Sequence, residues 1–480
     1  MTKQRATVLA IDIGAESGRV MAVHFDGSGL ELEEVHRFPN HALTVNGTLQ
    51  WDILHLWREV QAGIARHSTH AAGPPASLGL DTWGVDFGLL DRNGDLIGNP
   101  VCYRDSRTEG MLEAVFAHVP RTEVFAQTGM QVLEINTLYQ MMSLVERGSP
   151  HLQIATRFLT VPDLLNFWLS GVQVCEFSIA STTQMLNPFT RKWAGGLLDA
   201  LGIPLRLFPE VVQPGTRLGT YEGIPVIAPA CHDTGSAVAG VPVQAENFAY
   251  ISSGTWSLVG LEVAQPVVNE AALAVNASNE GGVYGTFRLL KNVMGLWLLQ
   301  QCRAAWESAG RAYSYPQLVA LAETADPLRS FVDPDDGRFL PPGDHPAHIR
   351  DFCALSGQPL PQSDAAIARC VFESLALAYR DVFIELGSLT GRKIEVIHVV
   401  GGGSRNRLLN QFTADATGIP VLAGPGEATV IGNALVQLIS LGELANLEEG
   451  RQLVSEIGAL ERFEPVGQSA WQEIKMPSLR

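Results

Sequence analysis

Two segments of this chain follow the same order: a buried strand, a turn of small residues and a second strand. In the first, the apolar run 7–14 ends in Asp-Ile-Gly, and a strand is predicted over 19–25. In the second, the run 247–254 ends in Ser-Ser-Gly, and a strand is predicted over 256–263. Short β-rich runs joined by tight turns are typical of hairpins. Because the pattern restarts halfway along the chain, we expect two domains of similar architecture.

Strands and helices alternate after each of these hairpins. The sequence has 480 residues, which at ordinary domain sizes is enough for two or three domains. The alternation favours the α/β class, with domains over 1–245 and 246–480. The other predicted elements are strands over 30–38, 77–81, 85–90 and 395–400, a helix over 52–67 with Leu54, Trp57, Val60 and Ile64 on its apolar side, and a helix over 365–386.

The charge balance excludes several classes of function. Thirty-three basic and fifty acidic residues give a net charge of −17, so we expect no binding to nucleic acid or to anionic membrane surfaces. No apolar run reaches the about 18 residues that a membrane-spanning helix needs, and Asp12 and Glu16 interrupt the apolar run near the N-terminus. We expect a cytoplasmic protein, a monomer or small homo-oligomer, with small-molecule partners.

The six cysteines are too few for a disulfide framework and show no CxxC spacing. We therefore expect reduced, buried thiols and no structural zinc site. The spacing leaves open whether Cys353 and Cys370 are neighbours in space.

The turn between the first two strands has the sequence Asp12-Ile-Gly-Ala-Glu-Ser-Gly-Arg19. Small residues at a turn let backbone N–H groups approach phosphate oxygens closely. Asp12 is a candidate to hold Mg²⁺ through water, and Ser17 and Arg19 are candidates to contact a polyphosphate. The alternative is an ordinary hairpin turn.

Two further glycine turns are candidates for nucleotide contacts in the second half. Ser-Ser-Gly-Thr255-Trp offers the Thr255 hydroxyl, and three glycines at 401–403 follow a predicted buried strand. Glycines at the end of a strand allow a phosphate or a flat ligand to lie against the backbone. The alternative for both segments is a tight packing turn.

Two segments of the first half have residues suited to a polar substrate. Asp233 lies among small residues at a predicted helix start, where a carboxylate serves either as general base or only as N-cap. Gly84 and the Trp83 ring could bound a sugar, although residues such as Trp83 and Phe87 are more often found in the core. Asp105 and Arg107 are candidates either for a structural salt bridge or for ligand contacts.

Taken together and in this order, these segments resemble the FGGY carbohydrate kinases. The resemblance runs from residue 8 to the region of residue 435 and therefore covers nearly the whole chain. It rests on the ordered set rather than on any one motif. The segments are AIDIGAESGRVM, GLDTWGVDFGLLD, YRDSRT, ACHDTGSAVAGVP, ISSGTWSL, LLKNVMGLWLLQ and VVGGGSRNRLLNQ.

The resemblance implies two actin-like, RNase H-like α/β domains with a catalytic cleft between them. The first would mainly bind sugar and the second mainly nucleotide. It implies ATP with Mg²⁺ and a ketose, in the first place L-rhamnulose, phosphorylated on its 1-hydroxyl in the breakdown of L-rhamnose. Carried onto this sequence, Asp233 would accept the proton. The sugar would be lined by Gly84, His232, Asp233, Thr234 and Asn292, and the nucleotide would be held by Ala15, Glu16, Ser17, Gly18, Arg19, Thr255, Gln300 and Gly402.

One residue departs from the family pattern, and two alternative functions stay open. Glu16 stands where the family turn usually has a small hydroxyl residue, and a carboxylate beside phosphates is unfavourable unless it points away or faces Mg²⁺. The sugar could instead be L-fuculose, L-ribulose or L-xylulose, since one methyl contact discriminates by only about 1–3 kcal/mol. A sugar-binding regulator without turnover would be expected to lack the Asp233 carboxylate.

Overall fold

The computed structural model describes residues 6–70, 73–243, 247–456 and 460–479. Its strands are β1 Ala6–Ile13, β2 Ser17–Phe25, β3 Leu30–Pro39, β4 Ala42–Val45, β5 Thr48–Trp51, β6 Ser77–Thr82, β7 Phe87–Leu90, β8 Arg157–Thr160, β9 Cys175–Glu176, β10 Leu186–Asn187, β11 Lys192–Trp193, β12 Val211–Val212, β13 Arg217–Tyr221, β14 Ile224–Ile227, β15 Phe248–Ser253, β16 Trp256–Val263, β17 Ser278–Gly281, β18 Phe287–Met294, β19 Val396–Val400, β20 Val421–Ala423 and β21 Glu461–Phe463.

The α-helices are α1 Ile53–His70, α2 Met111–His118, α3 Arg121–Thr128, α4 Thr137–Glu146, α5 Pro150–Ile154, α6 Val161–Ser170, α7 Phe177–Ser181, α8 Gly195–Ala200, α9 Asp233–Ala239, α10 Glu270–Ala274, α11 Trp297–Ser308, α12 Tyr315–Glu323, α13 His345–Leu355, α14 Asp364–Thr390, α15 Arg407–Thr417, α16 Ala428–Leu441, α17 Leu447–Glu456 and α18 Gln468–Trp471. Among the described residues, no helix is both long and apolar enough to cross a membrane.

The chain forms two compact units that interleave along the sequence. Unit 1 consists of residues 1–243, 262–289 and 428–459, and unit 2 of residues 244–261, 290–427 and 460–480. The predicted domain boundary between residues 245 and 246 falls at 244–246, outside the described residues.

Unit 1 contains a six-stranded sheet in the order β13-β14-β6-β1-β2-β3. The first three strands pair antiparallel as the predicted meander, whereas β6 joins β1 in parallel and β14 joins β6 in parallel. Parallel neighbours at β1 bring the ends of β1 and β6 to the same sheet edge, so Asp12 and Asp81 are register partners there.

The sheet of unit 2 repeats this arrangement. Its strands lie in the order β18-β16-β15-β19-β20-β21 within a seven-stranded sheet whose remaining strand is β17, next to β18. In it β15 is antiparallel to β16 and parallel to β19, and β20 is parallel to β19. In both sheets an antiparallel hairpin is therefore extended by two parallel strands, β6 and β14 in unit 1 and β19 and β20 in unit 2. The predicted repeat of architecture is confirmed, and the strands after each glycine turn lie where the apolar runs placed them.

A helix from far along the sequence completes the core of unit 1. Apolar residues of α16, including Val430, Ile431 and Leu435, pack with Val8 and Met21 of the meander. Burial of these side chains stabilises the unit by roughly 25 cal/mol for each Å² removed from water. This packing explains why residues 428–459 belong to unit 1.

Other sequence expectations meet mixed outcomes. The helix predicted over 52–67 is present as α1, but Leu54 is 63% exposed, and the buried face is formed by Ile53, Leu56, Val60 and Ile64. The prediction is therefore right for Val60 and Ile64 and wrong for Leu54, because helical spacing alone also fits the neighbouring positions Ile53 and Leu56. All six cysteines are buried free thiols, as expected, and the neighbouring Cys353 raises the pKa of Cys370, so the two lie close in space.

Candidate active site

Asp233 is the first residue of α9, and its carboxylate is held by the backbone that follows it. The N-cap position belongs to His232, so the alternative of Asp233 as N-cap is wrong. The Thr234 N–H donates to Asp233 Oδ1 at 2.6 Å, and the Thr234 hydroxyl donates to the same oxygen at 3.2 Å. A helix N-terminus also favours a negative charge there.

The two oxygens of Asp233 have different surroundings. His232 Nε2 lies 3.4 Å from Oδ1, which adds a third neighbour to that oxygen. Among the described residues, Oδ2 has no hydrogen-bond partner, while the side chain is 29% exposed. Burial raises the pKa of the Asp233 carboxyl; the neighbouring His232 acts in the opposite direction, and the nearby Asp12 carboxylate raises the pKa further. Oδ2 is therefore an open, strengthened proton acceptor.

Residues that the motifs did not single out hold the turn before Asp233. Glu176 Oε2 accepts from the Cys231 N–H at 2.9 Å, and Ser178 Oγ accepts from the His232 N–H at 3.2 Å. Ser178 Oγ in turn donates to Glu176 Oε2. This buried pair fixes the approach to α9. No local signal marks it, because the contact joins segments about 55 residues apart in sequence.

Gly84 lies beside His232, as expected if both line one site. A Cβ at Gly84 would lie 3.4 Å from His232 Nε2 and 3.3 Å from Thr182 Oγ1. A larger residue at Gly84 would therefore crowd the histidine. Trp83 and Phe87 are buried in the core, and the Trp83 indole N–H donates to Asp86 Oδ2 at 3.0 Å. The core alternative is confirmed for both aromatics.

Asp105 and Arg107 have structural partners instead of the predicted salt bridge. Asp105 accepts from the backbone N–H groups of Leu49 at 2.7 Å and Arg107 at 2.9 Å. The buried Arg107 guanidinium donates to Gln140 Oε1. Both side chains therefore hold a loop in place.

The first glycine turn is braced by an asparagine from the end of the meander. The Gly14 N–H donates to Ser17 O at 2.9 Å, and Asn40 donates to both Glu16 O and Gly14 O, each at 2.9 Å. Glu16 and Ser17 are exposed and Ala15 is half-buried. Gly18 has a packing role, since a Cβ there would lie 2.3 Å from the Phe38 ring.

Asp12 and Asp81 each have a carboxylate oxygen beside this turn that accepts no hydrogen bond from the described residues. Arg19 pairs with Asp12 Oδ2 at 2.6 Å, while Oδ1 accepts no hydrogen bond from the described residues. Asp81 Oδ1 is buried without a hydrogen-bond partner in the described chain, and burial raises the pKa of Asp81 well above its usual range, as does the Asp12 carboxylate. Mg²⁺ at kinase sites takes one or two carboxylates beside water and phosphates. The free oxygen of Asp12 fits that role.

In unit 2, two of the predicted nucleotide residues contact each other. Gln300 Nε2 donates to Thr255 Oγ1 at 3.3 Å, and Gln300 Oε1 is buried with no hydrogen-bond partner in the described residues. Gly402 follows Gly401, whose φ is +81°, and a Cβ at Gly402 would meet no atom within 4 Å. An unpaired buried acceptor and an open glycine face fit a ligand with donor groups. Asn292 lies on β18 in the same unit.

The predicted site residues thus divide between the units. Gly84, His232, Asp233 and Thr234 are brought together in unit 1, which also contains residues 15–19. The remaining predicted contacts are Thr255, Asn292, Gln300 and Gly402 of unit 2.

Comparisons with known proteins cover almost the whole chain. Residues 7–240 match the N-terminal domain model of the FGGY family of carbohydrate kinases, and residues 249–441 match its C-terminal domain model. The rhamnulokinase of Bacteroides thetaiotaomicron is 46% identical over 472 residues, covering 96% of both chains. That of Pectobacterium atrosepticum is 45% identical, covering 96% of this chain and 94% of its own.

Solved structures show the same fold at low identity. Gluconate kinase from Lactobacillus acidophilus superposes with a TM-score of 0.79 at 17% identity, covering 98% of this chain and 96% of its own. Xylulose kinase from the same organism gives 0.78 at 16%, with the same coverage. The expected two-domain, actin-like α/β fold is confirmed.

Proposed function

This chain belongs to the FGGY family of carbohydrate kinases, and we propose that it transfers the γ-phosphoryl group of ATP to the 1-hydroxyl of L-rhamnulose. The products are L-rhamnulose 1-phosphate and ADP. The observation that carries this proposal is the pair of unlike oxygens on Asp233. Oδ1 is held by neighbouring groups, and Oδ2 lacks a partner in the described chain.

Asp233 acts as the proton acceptor in the proposed mechanism. Its Oδ2 takes a hydrogen bond from the sugar hydroxyl, aligns that oxygen for attack and receives the proton as the new P–O bond forms and the bond to ADP breaks. Phosphoryl transfer leaves little covalent work for a protein, so this positioning supplies much of the rate. Gly84 and His232 bound the sugar beside the carboxylate.

The proposed nucleotide contacts come from both units, and the proposed metal ligand comes from unit 1. We assign Ala15, Glu16, Ser17, Gly18 and Arg19, together with Thr255, Gln300 and Gly402, to ATP, Asn292 to the sugar, and Asp12 to Mg²⁺. When bound, Mg²⁺ neutralises charge on the transferred phosphate. We propose that the domains 1–245 and 246–480 serve mainly sugar and mainly nucleotide; the two family models span 7–240 and 249–441. We place the enzyme in the cytoplasm.

The choice of sugar rests on the relatives. Both relatives described above carry the name rhamnulokinase, at 45–46% identity and nearly full coverage. The alternative is another ketose, such as L-fuculose, L-ribulose or L-xylulose, because a single methyl contact shifts discrimination by only about 1–3 kcal/mol.

A coupled ADP-release assay with ATP and Mg²⁺ tests the proposal on a panel of L-rhamnulose, L-fuculose, L-ribulose, L-xylulose and glycerol. We expect the highest kcat/KM for L-rhamnulose. Preference for another ketose would replace the sugar and keep the kinase assignment. Bound ATP without turnover of any of the five would refute the proposed reaction.

Substituting Thr255→Val is expected to raise the KM for ATP more than the KM for the sugar. Valine keeps the shape of threonine but removes the hydroxyl that accepts from Gln300, so one nucleotide contact and its partner's orientation are lost, at a cost of about 1 kcal/mol. Initial-rate kinetics with each substrate varied in turn measure the two constants. A larger change in the sugar KM would remove Thr255 from the nucleotide site.

A further inference from the structure

A buried group of charged side chains lies behind His232 in unit 1. Arg288 is 0% exposed and Glu280 is 3% exposed, and Arg288 Nη2 lies 3.0 Å from Glu280 Oε2. The same Nη2 lies 3.0 Å from His232 Nδ1. Arg288 Nε also donates to Gly281 O at 3.0 Å, which fixes the plane of the guanidinium. The mechanism above uses neither Arg288 nor Glu280.

The arginine determines which ring nitrogen of His232 can carry a proton. A guanidinium has only donors and stays charged in proteins. When its N–H points at Nδ1, that nitrogen must accept, so a neutral imidazole carries its proton on Nε2. Nε2 is the ring nitrogen on the side of Asp233, 3.4 Å from Oδ1, so its N–H faces the carboxylate at a distance longer than an ordinary hydrogen bond.

Glu280 compensates the free-energy cost of burying the Arg288 charge. An unpaired buried guanidinium would be strongly unfavourable, and the carboxylate compensates its charge. Glu280 Oε2 also lies 3.1 Å from His232 Nδ1. The hydrogen bond at Nδ1 comes from Arg288 Nη2, which lies 3.0 Å from both Nδ1 and Glu280 Oε2.

The tautomer matters for Asp233. A doubly protonated ring would place a positive charge beside the carboxylate and weaken it as a base, whereas a ring protonated only on Nδ1 would turn a lone pair toward Oδ1. A neutral Nε2–H adds an uncharged N–H, at 3.4 Å, to the two hydrogen bonds from Thr234 at Oδ1, and it leaves Oδ2 free to accept.

We propose that Arg288, balanced by Glu280, is a positioning residue that holds His232 as the neutral Nε2–H tautomer and so orients Asp233 with Oδ2 free to accept the substrate proton. The kinetic part of this inference rests on the proposed function. The tautomer itself does not.

Nitrogen-15 NMR of the wild-type protein, labelled in histidine, tests the tautomer directly. The His232 signals are identified by their loss in His232→Gln. We expect a protonated Nε2 and an unprotonated Nδ1. A signal from the Nδ1–H form or from the doubly protonated ring would overturn the proposal, and this holds even if no sugar on the panel is phosphorylated.

The double variant Glu280→Gln/Arg288→Met tests the kinetic consequence. It removes both charges together, so no unpaired ion stays buried. We expect kcat for the sugar to fall about 10–100-fold, a part of the 10²–10⁴ that a positioned base contributes, with the KM for ATP nearly unchanged and the Nε2–H signal diminished. The single variant Arg288→Lys keeps a positive charge but cannot make both of the arginine's contacts. Its kcat is therefore expected to lie between that of the double variant and that of the wild type.

A matched pair in unit 2 controls for lost stability. Arg369 Nε and Glu373 Oε1 form a similarly buried pair at 2.7 Å, and Arg369→Met/Glu373→Gln makes the same chemical change. We expect this control to lower Tm about as much as the test variant does, while its kcat stays at the wild-type value. Wild-type kcat in the Glu280/Arg288 variant, or an equal loss in the control, would refute the positioning role. If the test variant does not fold, the wild-type spectrum and Arg288→Lys still decide.

Discussion

Substituting Asp233→Asn is expected to lower kcat by about 10²–10⁴-fold while ATP binding stays close to wild type. Asparagine has the same shape, and its carbonyl oxygen can still accept from Thr234. Its amide cannot take a proton, so the sugar hydroxyl would have to lose its proton to water. Steady-state kinetics measure the loss, and titration with ATP measures binding.

The same substitution in a surface turn provides the control. Asp91 Oδ1 accepts from the backbone of Asn93 and Asp95, a role that asparagine also fills. Asp91→Asn is therefore expected to stay within about twofold of wild-type kcat, as surface changes usually do. If Asp233→Asn kept more than about a tenth of wild-type kcat, Asp233 could not be the base.

The residues that sequence reasoning identified in the site are those whose role is local. Asp233 and Thr234 are adjacent, and the carboxylate is oriented by the backbone N–H next to it. Gly14 and the other turn glycines are marked by the strands that precede them. Such features depend on a few consecutive residues, so the sequence displays them directly.

The residues that sequence reasoning missed are those whose role depends on distant contacts. Arg288 lies within a strand whose other side chains are mostly apolar, and nothing local shows that its charge is compensated by Glu280 and directed at His232. Glu176 holds the Cys231 backbone from another segment. Leu54 shows the same limit in a helix, since only the packed neighbours decide which of two helical registers is buried.

The contact between α9 and α16 shows how such long-range packing controls the site. A Cβ at Gly432 of α16 would lie 1.8 Å from Ser236 O and 2.8 Å from Gly240 N. A Cβ at Gly240 would lie 2.3 Å from Ala428 O. Two glycines thus allow the helix that begins with Asp233 to lie directly against α16.

Substituting Gly432→Ala is therefore expected both to destabilise unit 1 and to reduce catalysis. The added methyl group meets backbone atoms, which cannot move aside as a side chain can, so the cost should reach or exceed the about 1–3 kcal/mol typical of overpacking. We expect Tm to fall by about 5–10 °C. If α9 shifts to relieve the clash, Asp233 moves with it, and a displacement of about 1 Å can cost about 10²-fold in rate. Calorimetry and steady-state kinetics measure the two effects.

Gly196→Ala is the matched control, because a Cβ at this exposed position of α8 would meet no atom within 4 Å. It should leave kcat unchanged and Tm unchanged or slightly raised, since alanine lowers the entropy of the unfolded chain. Wild-type Tm and kcat in Gly432→Ala would show that the helices tolerate a wider spacing. A lower Tm with wild-type kcat would instead mean that α16 gives way and α9 stays, which would separate the stability of unit 1 from the placement of Asp233.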